Sequence, residues 1–157
     1  MSGIGSLAGT TIQNAQLFDR LQKAHQHYRE LFNASVDPIL ITNWDGKILE
    51  SNRQAIALSG YRTSQLHLME IDNLHKVNWG KTGQNFESLK NGALCKYESE
   101  MNQKEGSSIP IEVYVQHVEY EGTLLLQWIL RDIRERKVLR DHRLQAARLE
   151  PAKRWQN

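Results

Sequence analysis

Residues 104–137 read KEGSSIPIEVYVQHVEYEGTLLLQWILRDIRERK, and the fold turns on this stretch. Ile109, Ile111, Val113 and Val115 alternate with Pro110, Glu112, Tyr114 and Gln116, the period of a strand. Pro110 stands near the start, where an edge or first position tolerates it. Lys104-Glu105-Gly106 and Glu121-Gly122 are turns on either side. Thr123 to Arg131 is apolar on both faces, with Leu124, Leu126, Trp128 and Leu130 on one and Leu125 and Ile129 on the other. Such a strand is covered on both sides. At Arg131-Asp132-Ile133 it breaks into a charged helical pattern with almost no linker.

Upstream, Leu94 to Met101 forms another strand, with Cys95, Tyr97, Ser99 and Met101 on one face. Ile39-Leu40-Ile41-Thr42 and Lys47 to Ser51 flank an Asn43-Trp44-Asp45-Gly46 turn, and Asp-Gly is a strong hairpin signal. Asn52 suits the cap of a helix from Arg53, and Gly60 suits its stop. Thr63 or Ser64 caps a second short helix running to about Ile71. A loop follows, and then a third short helix from Asn85 to Asn91, closed by Gly92. The order is helix, two strands, short helices, three strands, helix. This predicts an α+β fold, a five-stranded and mostly antiparallel sheet with helices on one side.

The flanks are helical. From Ser6 to about Phe32, Leu17, Leu21, Ala24, Tyr28 and Leu31 follow a 4-3-4-3 spacing, one apolar seam. This helix is expected to pair with a partner chain or to cover the outer side of the Thr123–Arg131 strand. Three segments result: a linker helix over 1–32, a core over 33–131 and an outgoing helix over 132–157.

Composition excludes several classes. At 157 residues, with 39% apolar and 24% charged residues, the chain suits one globular domain plus extensions. No apolar run spans a bilayer, and the N-terminus lacks the layout of a secretory signal. The single cysteine, Cys95, rules out an internal disulfide and fits a reducing, cytoplasmic setting. From Arg131 onward nine Lys/Arg face four Asp/Glu, giving +5 in a chain of net +2. The interleaved acids Asp132, Glu135, Asp141 and Glu150 favour a solvated helix over a nucleic-acid surface.

In three places the chain resembles a PAS domain. Asp45-Gly46, Ile48, Asn52, Ala55 and Gly60-Tyr61 resemble the family's first hairpin and helix. Lys104 to Ser107 with Pro110 to Val113 resembles its "KDGS--P-EV" turn and strand. Arg131 to Lys137 resembles its "RDITERK" exit. The three occur in order over about Tyr28 to Lys137. The chain departs from the pattern at Glu105 for Asp, at Arg134 for Thr, and in lacking Gly within Leu66 to Met69. Arg134 removes the hydroxyl that a Thr would offer at the junction. Thr11 to Phe18 is similar to the closing helix of a GAF domain, and Leu144 to Glu150 to the helix leading into a histidine-kinase dimerisation domain.

The resemblance implies a sensory or relay module of a multidomain signalling protein, a homodimer through its flanking helices. It implies a downstream effector, a histidine kinase in two-component phosphorelay, and room for a small-molecule ligand. The alternatives are a haem- or flavin-binding receptor for gas, redox state or light, and a module of a transcription regulator. No phosphoacceptor box and no nucleotide-binding motif is present, so no catalytic residue is assigned. No cofactor is assigned either. His75 is the candidate haem ligand, because haem-binding members hold their proximal His in this region; the plainer reading is a surface or loop histidine. Cys95 lacks the Asn-Cys-Arg context of a flavin-adduct thiol and reads as a small core residue. No His or Cys set has metal-ligand spacing. Ile41, Tyr97, Ile111, Val113 and Trp128 are candidates to line a pocket, although inner-face aromatics usually just fill a core. Asp132 and Ile133 are the candidate signal junction. In the family this Asp tethers the outgoing helix to the core; a plain helix cap is the competing reading.

Overall fold

A computed structural model of the chain describes the backbone of residues 2–156 and the side chains of residues 11–147. The chain divides into two compact units, Met1–Ser35 and Val36–Asn157. The first is one helix, α1 (Ser2–Ala34). Along it Leu17, Phe18, Leu21 and Leu31 are exposed. Neighbours one turn apart support it: the Lys23–Asp19 ion pair at 3.0 Å, the Arg29 Nε to His25 Nε2 bond at 3.1 Å and the Tyr28–Phe32 stack.

The second unit is built on β1 (Ile39–Thr42), β2 (Ile48–Ser51), β3 (Cys95–Asn102), β4 (Ser108–Tyr120) and β5 (Thr123–Asp132). Their order is β2-β1-β5-β4-β3, and every pairing is antiparallel. This is the predicted α+β sheet. Between β2 and β3 run α2 (Arg53–Ser59), α3 (Thr63–Leu66), α4 (Ile71–Leu74), α5 (Trp79–Thr82) and a 3-10 segment (Gln84–Leu89). They place Ala55, Leu66, Ile71, Leu74, Phe86 and Leu89 in one core with Leu40, Tyr97, Met101, Ile111, Val113, Leu126, Trp128 and Leu130 of the sheet.

Local chemistry sets these elements. In the β1–β2 turn the Asn43 Oδ1 accepts from the N–H groups of Asp45 and Lys47 at 3.0 and 2.9 Å, an Asx turn. Gly46 follows with φ +88°, and a Cβ there would stand 3.3 Å from Ile71 Cγ2; glycine suits both the backbone and the space. Asn52, fully buried, caps α2 by accepting from Ala55 N–H at 2.9 Å. The same oxygen accepts from Ile39 N–H at 2.9 Å, and Asn52 Nδ2 donates to the Asp37 carbonyl at 3.0 Å. One side chain thus joins the domain entry, β1 and α2.

The structure differs from the sequence reading in three details. The expected loop after α3 holds two further single-turn helices, α4 and α5; four residues are too few to show a helical period. Arg62, not Thr63 or Ser64, occupies the cap position of α3, and Gln65 Oε1 accepts from its N–H at 2.9 Å. Leu124 is 53% exposed, because it lies near the hairpin tip, past the last β1 partner, Thr42 opposite Leu126. Pro110 sits in an interior strand, but the β5 ladder begins only at Ile111, and the Pro110 carbonyl accepts from Ile133 N–H at 3.2 Å. Among the described residues no helix is long and apolar enough to cross a membrane.

Candidate functional site

Two places gather polar chemistry. The first lies behind the inner face. His75 is fully buried at the end of α4. Its Nδ1 lies 3.0 Å from the Ile71 carbonyl and its Nε2 2.7 Å from the Tyr97 hydroxyl. A carbonyl can only accept, so Nδ1 carries the proton and Nε2 accepts from Tyr97. Burial holds the His75 pKa down at about 4, against a smaller opposing pull from the Ile71 carbonyl. Burial likewise raises the Tyr97 hydroxyl well above its ordinary value. Trp128 meets His75 and Phe86 edge-on at 5.4 Å each, and its Nε1 donates to Thr42 Oγ1 at 2.9 Å. Trp79 stacks on Phe86 from the surface side.

The second place is the outer face where the chain leaves the sheet. The outgoing helix α6 (Arg134–Gln156) starts directly after β5. Ile133 is buried, and its carbonyl accepts from Lys137 N–H at 2.9 Å, the first turn of α6. The strand register lays a charged row across this face. Arg131 stands opposite Glu112, and Glu112 opposite Glu98. Two carboxylates directly opposed across strands repel. α6 answers them with Arg136 and Arg140, one turn apart. Arg136 Nη2 lies 2.7 Å from Glu112 Oε2, and Arg140 Nη2 lies 2.9 Å from Glu98 Oε1. Lys96 adds a contact to Glu112 at 3.7 Å, and Tyr114 donates its hydroxyl to Glu112 Oε1.

Glu112 is only 4% exposed. Burial opposes its charge, but the bonds from Arg136 and Tyr114 outweigh burial and hold its pKa below the usual carboxylate range. Further along the row Arg131 makes two bonds to the Asp37 carboxylate, at 3.0 and 3.4 Å. The guanidinium of Arg131 and the ammonium of Lys96 both lie over the Tyr114 ring, at 5.4 and 5.5 Å.

Tyr97, Ile111, Val113 and Trp128 come together on the inner face around His75. Ile41 does not join them: it pairs with Gln127 on the outer face, while its neighbour Leu40 points inward opposite Trp128. His75 is a core residue rather than a surface one, and to bind an iron its Nε2 would have to give up Tyr97. Cys95 is half-buried at the core margin, and burial raises its thiol pKa. Among the described residues no group of three or more His, Cys, Asp or Glu could hold a metal ion. Asp132 caps the first turn by accepting from Arg134 N–H at 3.0 Å and pairs with the Arg134 guanidinium at 2.7 Å. Those bonds overcome burial and hold its carboxyl below the usual range. Arg134 thus fills the place of the missing Thr.

The residues that fasten α6 to the sheet are Glu112, Glu98, Arg136 and Arg140. Sequence reading placed Glu112 only as a polar position in an alternating strand. The signal available was the Arg136/Arg140 pair at i, i+4; its carboxylate partners emerge only from the strand register.

Residues 26–76 match the family model described as the PAS fold. Over 147 residues the chain is 27% identical to a methyl sulfide methyltransferase-associated sensor of Methanosarcina acetivorans, covering 92% of this chain and 15% of that protein's length. The PAS domain of an HTR-like protein from Haloarcula marismortui superposes with a TM-score of 0.67 at 24% identity, covering 76% of this chain and 99% of that one. A PAS domain from a two-component sensor histidine kinase gives a TM-score of 0.58 at 15% identity, covering 71% and 97%. The sheet order, the inner helical layer and these matches together show that the chain carries a PAS-fold domain.

Proposed function

We propose that this chain is a sensory relay module that delivers its state through the seating of α6 on the outer face of its sheet. The observation that carries the reading is the Arg136–Glu112 pair, a nearly buried carboxylate on β4 bound to the second turn of the outgoing helix. A shift in the sheet moves Glu112, and Glu112 holds the helix. Such a contact biases a two-state equilibrium without any chemical step in this chain.

The reading extends to a larger protein. Residues 1–32 act as an incoming linker helix, 33–131 as the sensor core and 132–157 as the signalling helix. The exposed seam of Leu17, Leu21 and Leu31 supports pairing with a second copy through the flanking helices. Likeness to a sensor-named relative and to a domain of a sensor histidine kinase supports a cytoplasmic histidine kinase as the effector. The input is a partner's state or a small molecule at the inner face. The engaged ring nitrogens of His75 lend the haem reading no support.

The test is Glu112→Gln in the full-length sensor. The substitution keeps the shape and removes the charge. Effector output should shift away from its wild-type set point while the domain stays folded. Unchanged output over the full range of input overturns the reading.

A further inference from the structure

Arg131 holds an unusual position in the charged row. Its guanidinium is bound to Asp37, three residues past the end of α1. Yet its cross-strand partner is Glu112, the carboxylate that seats α6. The Tyr114 ring lies under it, and Tyr114 is bonded to Glu112. Glu112 already serves Arg136, Lys96 and Tyr114, so a second arginine can enter only at the expense of one of these.

We propose that Arg131 is an exchangeable cation, held by Asp37 in the seated state and able to displace Arg136 from Glu112 when Asp37 withdraws. The domain entry and its exit thereby compete for one carboxylate. With Asp37 in place Arg131 is occupied, Glu112 is left to Arg136, and α6 stays on the sheet. When Asp37 is pulled away, Arg131 slides along the Tyr114 face to its cross-strand neighbour. Arg136 loses its partner and the first turns of α6 loosen. Two discrete pairings of one cation give the bistable element that a switch needs. The inference rests on α6 as the output element, but its mechanism can be read in this chain alone.

The experiment is amide hydrogen exchange over residues 136–141 of the full chain, with the β4–β5 ladder as folding control. Asp37→Asn frees Arg131 and should speed exchange in α6 by about three- to tenfold, the range expected for a partly exposed charged pair. Adding Arg131→Gln removes the competitor, and exchange should return to near the wild-type rate. If Asp37 merely braced the sheet, the double variant would exchange as fast as Asp37→Asn alone; that result, or an unchanged rate in Asp37→Asn, overturns the proposal. Should Asp37→Asn loosen the ladder as well, Arg131→Gln alone decides: protection of α6 at or above wild type supports the exchange, and its loss refutes it. Restored exchange in this chain with no change of output in the full-length sensor would retain the exchange and refute the output reading.

Discussion

Burial of His75 makes the fold sensitive to acid, by an amount that can be worked out. Its ring is neutral in the folded state, with a pKa of about 4 against 6.5 for an ordinary histidine. Between these values the unfolded chain binds a proton that the folded chain refuses, so stability rises with pH. The contribution is fully present above pH 6.5 and is lost as pH falls toward 4. At pH 5 the loss is about 2 kcal/mol, and below pH 4 it approaches ~3 kcal/mol. Glu98, Glu112 and Asp132, held below the usual carboxylate range, lose their own stabilisation in acid, so the histidine's share must come from a difference. Urea unfolding of wild type and His75→Gln at pH 7, 6, 5 and 4.5 supplies it. Gln can still accept from Tyr97, but it has no proton to gain. The gap between the two proteins should shift by about 2 kcal/mol in favour of the variant between pH 7 and pH 5. A constant gap across this range would refute the neutral, buried assignment.

Three further substitutions test the packing around the site. Thr42→Val removes the acceptor of Trp128 Nε1 and should cost about 1–3 kcal/mol in urea unfolding, the cost of a buried unpaired donor. Asn52→Ala removes two buried acceptances and one donation together; its cost should exceed the ~1 kcal/mol of a simple helix cap, and a smaller loss would contradict its joining role. Asn85 and Phe86 both adopt positive φ, 56° each. Asn85→Gly should therefore raise the thermal midpoint, with a gain of up to about 1 kcal/mol, and a lowered midpoint would show that this turn is not strained.

Much of the fold was legible because its signals were local. The alternation from Ile109 to Val115, the Asp45-Gly46 turn and the Asn52 and Gly60 caps each depend on a few neighbouring residues. Single-turn helices α4 and α5 escaped detection because four residues carry no period. The inner cluster was legible in part. Trp128 and Tyr97 could be placed on the inner face, but the burial of His75 depends on α4 returning to the sheet. Ile41 was grouped with them although the alternation of β1 sends it to the other face. The outer-face seat of α6 was the least legible. Glu98, Glu112 and Arg131 become one row only when three strands are laid in register, and Asp37 joins it through a fold that brings residues 94 positions apart into contact. The exit motif drew attention to Asp132, whose bonds prove local.

The central claim is that the seating of α6 sets the output, and it can be measured across a graded series. Glu98→Gln removes a half-exposed partner, Glu112→Gln a buried one, and the double variant both. In the full-length sensor, exchange over residues 136–141 and effector output should change together and in that order, with Glu112→Gln well beyond Glu98→Gln. Output that changes while α6 stays protected, or α6 that loosens while output holds constant, would contradict the account.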